Sequence, residues 1–233
     1  MNRAVVIVLV VAVAAAGGFF AQRALKERSS ITPATERAVV NPEAPRQVSQ
    51  TQPPQPTVPE TLPDIALPDQ SGAPRSLLSW KGHPLIINFW ATWCGPCREE
   101  IPLLNSLRKQ RSADKLEVIG IAIDEQQAVL KFAKEIGIQY PVLMGEQEGY
   151  EAAEHFGVAS LVLPFSVFVD SQGRIVTLKV GELHSDQARE ILDRVRDVDA
   201  NRLSLTDARS QIADKLRDLA LQHGDQDHDE PGG

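Results

Sequence analysis

The spacing of apolar residues changes character several times along the chain. Ala4 to Ala21 is apolar without a break, reading AVVIVLVVAVAAAGGFFA. These eighteen residues are just enough to cross a bilayer as a helix. Residues 1–28 are therefore expected to form an N-terminal membrane anchor. A cleaved signal peptide is the alternative, since Ala14-Ala15-Ala16 resembles a small-residue cleavage site. Phe19 and Phe20 carry bulky apolar character past that point, which favours the anchor. Residues 29–61 then lose all period, with Thr51 to Glu60 reading TQPPQPTVPE. A segment this polar and proline-rich cannot bury a core. It reads as an extended linker, with a reach of about 3.1 Å per residue in polyproline II form.

From Leu62 the pattern becomes that of a folded domain, expected over residues 62–200. Leu85 to Trp90 (LIINFW) and Glu117 to Ile123 are apolar runs of strand length. Phe165 to Val169 and Ile175 to Val180 form a second strand pair, joined by the turn Ser171-Gln172-Gly173. Helical spacing appears in Ile101 to Leu107, Ala128 to Ile136, Tyr150 to Phe156 and Ser185 to Val198. Strands alternating with helices and ending in a hairpin imply an α/β fold, a sheet covered by helices. A further amphipathic helix is expected between Thr206 and Leu221, with Ile212, Leu216 and Leu219 on one face. It falls within residues 201–221, and residues 222–233 read as an acidic disordered tail.

Charge narrows the partners. The net charge is -7, and Asp225, Asp227, Asp229 and Glu230 supply four of the seven excess negative charges. Without a clustered basic face, nucleic acid is not an expected partner. The chain has two cysteines, both in one short motif, so it has no separate structural disulfide. Cys97 precedes Arg98 rather than His, which excludes a c-type haem attachment motif.

Asn88 to Pro102 reads NFWATWCGPCREEIP. A strand runs into a tight turn, and a helix is expected to begin at about Pro96, where proline needs no N–H partner. Cys94 then lies at a helix N-terminus, where unpaired amides and the helix dipole favour the thiolate. Cys97 is one turn on, placed to attack a mixed disulfide formed at Cys94. Structural zinc needs four ligands, and no second cysteine pair exists. A purely structural bridge over so short a loop would constrain the unfolded chain little.

The stretch WCGPC followed by REEIP is similar to the active site of the thioredoxin superfamily, and most similar to its membrane-anchored TlpA/ResA-type branch. The resemblance covers roughly Leu62 to Val198. It implies a thioredoxin-like α/β fold with a central mixed sheet flanked by helices. It also implies an insertion between the cysteine-bearing helix and a strand that follows a cis-proline. Glu125 to Ile136 and Tyr140 to Met144 match that insertion, Leu163-Pro164 matches the cis-proline, and Pro102 matches the proline that kinks the first helix. By the same resemblance, Trp93, Gly95, Pro96, Leu163 and Pro164 line the substrate site. The buried Asp of thioredoxins is replaced here by Asn88, an amide that cannot take up a proton. In the TlpA/ResA branch a glutamate three residues after the second cysteine lies nearby, and Glu100 matches it. Helical i, i+3 spacing brings Glu100 towards Cys97, and partial burial would suit it to acid/base work.

The expected activity is thiol–disulfide oxidoreduction by Cys94, Cys97 and Glu100, with no cofactor and no metal. The resemblance further implies disulfide-bearing partner proteins outside the cytoplasm, in cytochrome c maturation or copper-site assembly, and a membrane electron donor of the DsbD/CcdA type. Alternatives are a Cu(I)-binding chaperone, using two soft thiolates, and a peroxiredoxin-like peroxidase. In the latter case Thr92 stands two residues before Cys94 rather than three. Arg23, Lys26 and Arg28 follow the apolar run and Arg3 precedes it. By the positive-inside rule that balance leans towards a cytoplasmic domain. The resemblance instead implies a single pass of the bacterial inner membrane with the domain in the periplasm, which is the expectation adopted.

Overall fold

In a computed structural model, residues 57–158, 160 and 162–226 are described. The expected anchor, all but the last few linker positions and the end of the acidic tail lie outside them. Among the described residues no helix is long and apolar enough to cross a membrane.

A short hairpin comes first, β1 (Ala66–Pro68) with β2 (Pro74–Ser76). The sheet that follows contains β3 (Leu85–Trp90), β4 (Glu117–Ala122), β5 (Val142–Met144), β6 (Phe165–Val169) and β7 (Ile175–Val180). Its order is β5-β4-β3-β6-β7. The β3–β4 and β4–β5 pairs are parallel, whereas β3–β6 and β6–β7 are antiparallel. Helices α1 (Gly95–Gln110), α2 (Gln126–Ile136), α3 (Gln147–His155), α4 (Ser185–Asp199) and α5 (Leu205–Gln226) complete the domain. This is the central mixed sheet flanked by helices that the resemblance implies, with α2 and β5 at the place of the expected insertion.

Side chains alternate across a strand, so β3 faces two cores. Ile86 and Trp90 pack with Ile101, Leu104 and Leu107 of α1, Val129 and Phe132 of α2, and Ile191 and Val195 of α4. Leu85, Ile87 and Phe89 point the other way, into Leu67, Leu77, Trp80, Phe156 and Phe165. All six β3 side chains are buried, as a central strand requires.

Several boundaries differ from the sequence reading. Neither strand of the first hairpin was anticipated. The linker ends sooner than residue 61, because Glu60 accepts a bond from the Ile175 amide and Thr61 bridges Arg174. Helix α1 starts at Gly95, and Tyr140 precedes β5 rather than opening it. Helix α5 continues to Gln226, past Leu221, so the start of the supposed tail is helical. Its Ile212 and Leu219 are buried, and Leu216 packs partly against the core.

Candidate active site

Cys94 caps α1: its Sγ accepts a bond from the Cys97 amide at 3.3 Å. Pro96 sits in the first turn, where its missing N–H costs nothing. Arg108 and Lys109 occupy the last turn, where cations suit the negative end of the helix dipole. The two sulfurs are joined in a disulfide, the oxidised state of the pair. Cys97 and Cys94 are both buried, while neighbouring Trp93 is 68% exposed. Gly95 and Pro96 are exposed beside it.

The turn carrying these residues is held from outside the motif. Thr92 donates both its amide and its hydroxyl to Asp124 Oδ2. Asp124 follows β4 at its C-terminal end, where sheet geometry brings β3 and β4 to the same edge. With its hydroxyl on Asp124, Thr92 is not presented to Cys94 as a peroxidase threonine would be.

The loop before β6 lies across from the cysteines in the family pattern. Here the Leu163–Pro164 bond is cis. Pro164 is buried, Leu163 half-buried and Val162 exposed. The Pro164 carbonyl accepts a bond from the Gly181 amide at 2.8 Å. Gly181 has φ +83°, a left-handed conformation that a β-carbon would strain.

Beneath Cys97 lies a buried polar group. Glu100 is 1% exposed, on the inner face of α1 with Cys97, Ile101 and Leu104. One carboxylate oxygen accepts from Asn88 Nδ2 at 2.6 Å, the other from the Leu183 amide at 2.8 Å. Asn88 Nδ2 also donates to Ser166 Oγ at 3.1 Å. Burial pushes the Glu100 carboxyl up to about 7; the two hydrogen bonds and Lys179 oppose that rise, and Glu182 adds to it. A carboxyl raised to about 7 one helical turn from a thiol that must lose a proton can act as general base and acid.

The surroundings of this carboxyl are only partly satisfied. Among the described residues, Asn88 Oδ1, Trp90 Nε1 and Tyr140 Oη are buried without a hydrogen-bond partner. Gly120 is opposite Asn88 in the parallel register. A β-carbon there would come within 2.7 Å of Trp90 Nε1 and 3.1 Å of the Tyr140 ring, so only glycine leaves room for both. Burial, and to a lesser extent the charge of Glu100, pushes the Tyr140 phenol up, keeping it protonated.

The structure thus gathers Trp93, Cys94, Gly95, Pro96, Cys97 and Glu100 on one helix end. Leu163 and Pro164 lie on a separate loop that the β7–α4 turn ties down. Sequence reasoning missed Asp124, Ser166, Tyr140, Lys179 and the Leu183 amide. Asp124 had a signal, as a polar residue directly after a buried strand. The Leu183 contribution is a backbone amide and had none.

Comparison with known proteins gives a consistent picture. The model of the AhpC/TSA family matches residues 58–178. The chain is 31% identical over 134 residues to the thiol-disulfide oxidoreductase ResA of Bacillus thuringiensis subsp. konkukian, covering 57% of this chain and 75% of that protein. It is 34% identical over 138 residues to the thioredoxin-like protein YneN of Bacillus subtilis, covering 58% and 78%. Among solved structures, a putative thiol:disulfide interchange protein DsbE from Chlorobium tepidum superposes with a TM-score of 0.53 at 25% identity, over 60% of this chain and 96% of that one. A second thioredoxin-family interchange protein from Chlorobium tepidum gives 0.51 at 30% identity, over 60% and 95%.

Proposed function

The chain belongs to the AhpC/TSA family and is a thiol–disulfide oxidoreductase of the ResA type, and from that premise we propose that it reduces disulfides of proteins outside the cytoplasm. Its substrates are protein thiols and disulfides, as for the family. The observation that carries the mechanism is the placement of Glu100, buried one helical turn from Cys97 and poised near neutrality; the reducing direction rests on the family resemblance.

In the reduced protein the helix N-terminus stabilises the Cys94 thiolate. That thiolate attacks one sulfur of the partner disulfide, and the other partner sulfur leaves as a thiolate. Cys97 then passes its proton to the Glu100 carboxylate and attacks Cys94 in the mixed disulfide. The second partner sulfur is released, and protons from Glu100 and solvent complete two partner thiols. Two electrons have moved to the partner, leaving the Cys94–Cys97 disulfide seen in the structure. Half-exposed Leu163 beside cis-Pro164 offers backbone to an extended substrate segment, and exposed Trp93 and Val162 offer apolar surface to it.

In this reading the Ala4–Ala21 segment tethers the domain to the inner membrane with the active site in the periplasm. A membrane electron carrier of the DsbD/CcdA type re-reduces it. Its clients are apocytochrome c thiols before haem attachment, or the cysteines of a copper-site assembly protein. Family resemblance supports these assignments.

Cys94→Ser is expected to abolish insulin-disulfide reduction, and Cys97→Ser to accumulate a covalent partner complex on non-reducing gels. The reduction potential of the pair is the decisive measurement. A value well below that of DsbA, about -120 mV, fits a reductase; a value at that level would make the protein an oxidase. Tight Cu(I) binding or rapid peroxide turnover, without insulin reduction, would replace the reading altogether. Alkaline phosphatase fused after Gly233 tests the placement, since it is active only in an oxidising compartment.

A further inference from the structure

Across the face of the sheet that α1 covers, the register aligns Gly120, Asn88, Ser166 and Lys179 on neighbouring strands. Asn88 and Ser166 belong to the Glu100 network. Lys179 ends the same row, half-buried within a strand that is otherwise largely apolar. Its ammonium folds back onto the turn that follows the strand. Nζ donates to the Val180 carbonyl at 2.8 Å and to the Glu182 carbonyl at 2.9 Å. Those carbonyls flank the turn from which Gly181 donates to Pro164 and Leu183 donates to Glu100.

We propose that Lys179 is a positioning residue of this active site, clamping the 180–183 turn that holds both the Glu100 carboxylate and the cis-Pro164 loop. The inference rests on the reading of Glu100 as the proton partner of Cys97 and adds the device that orients and tunes it. Two neutral carbonyls hold the ammonium, and its charge acts on the carboxylates of Glu100 and Glu182. Burial lowers the Lys179 pKa, and the charges of Glu100 and Glu182 oppose that fall. By reciprocity, Lys179 favours the ionised form of Glu100.

The other groups acting on Glu100 set the background. Cys94 and Cys97 share its helix. Tyr140 approaches from the segment before β5 and stays neutral. Glu182 on the clamped turn opposes Lys179, and His184 lies 3.9 Å from Glu182. From β3 and β6 come the neutral groups Asn88 and Ser166. The Leu183 and Asn88 hydrogen bonds do most to oppose burial, and Lys179 adds the positive charge that works against Glu182.

The test compares the full chain with Lys179→Met, Lys179→Gln and Lys179→Arg, following Glu100 directly by the carboxyl signal of carbon-13-labelled glutamate, assigned through Glu100→Gln. Removing the charge should raise the Glu100 midpoint. The pH profile of insulin reduction should move alkaline with it, and Lys179→Arg should return both towards the parent. A merely structural lysine would change thermal stability and leave the midpoint in place. Should Lys179→Met fail to fold, Lys179→Gln reports the same shift while retaining a hydrogen-bond donor. If Glu100 titrates near neutrality in the parent and at the same pH in Lys179→Met or Lys179→Gln, the inference is overturned while the proposed role of Glu100 stands. If Glu100 does not titrate near neutrality even in the parent, both fall together.

Discussion

The two faces of β3 are built on opposite rules. On one, Leu85, Ile87 and Phe89 enter an apolar core in which Phe89 stacks on Phe165 at 4.2 Å and meets Phe156 edge-on at 5.6 Å. On the other, Ile86 and Trp90 bracket Asn88, which sits in a buried polar network with Glu100 and Ser166. Both faces of the strand are buried, yet among the described residues only the second carries β3 polar atoms left without partners. Burying an unpaired polar group costs about 1–3 kcal/mol by mutational measures, so the second face sacrifices stability that the first supplies. The aromatic face therefore acts as the anchor, and the face under α1 is free to hold a carboxyl in the wrong solvent for its charge. Burial on that face is what raises the Glu100 carboxyl towards neutrality.

The sharpest way to break the comparison is to weaken the anchor. Phe89→Ala deletes a fully buried ring in contact with two others and should destabilise the domain by about 3–5 kcal/mol in chemical denaturation. The reduction potential and the Glu100 midpoint should stay where they are, because that ring faces away from the network. A midpoint that moved with Phe89→Ala would show that the two faces are not separable.

Next in size is the network itself. The Glu100 carboxyl is raised from 4.5 to about 7, so the folded state holds its proton more tightly than the unfolded state. Its contribution is fully present below the unfolded value and is lost as pH rises towards the folded one. Between roughly pH 4.5 and 7 the protein should therefore lose stability, by an amount on the order of 3 kcal/mol once both states are ionised. Glu100→Gln removes that dependence. Relative to the parent it should be near-neutral at pH 4 and stabilising at pH 8 by up to this amount, while insulin reduction slows most at neutral pH. A parent whose stability is flat across this window would contradict the buried-acid picture of this face.

How much of this contrast was legible in the sequence follows from the range of each interaction. LIINFW announced a central strand, and Asn88 stood out as the one polar residue within it. The cysteines and the helix they start were readable because capping and proline placement are local effects. Glu100 was half-visible: its i, i+3 relation to Cys97 is local, but its burial depends on β3, β6 and the β7–α4 turn. Lys179 was hidden, because a lysine near a strand end reads as solvent-exposed and its partners are carbonyls with no sequence signature. The β1–β2 hairpin was missed because its three-residue strands, with a proline in each, have too few positions to show a period.

The smallest expected effect separates the parts of the polar face. Ser166 Oγ accepts one hydrogen of the Asn88 amide while Glu100 accepts another. Ser166→Ala leaves the bond to Glu100 intact and strands a single amide hydrogen in a site already holding the unpaired Asn88 Oδ1. The loss should be about 1 kcal/mol, with little change in the Glu100 midpoint. The amide would keep its orientation because Glu100, when ionised, is the stronger acceptor. The same substitution should matter less once Glu100 is protonated at low pH, since the amide can then rotate and accept the carboxyl proton on Oδ1. Denaturation of Ser166→Ala at pH 5 and pH 8 measures this directly. A cost independent of pH would mean that Asn88 holds one orientation whatever the charge on Glu100, and that the polar face is a fixed scaffold rather than a responsive one.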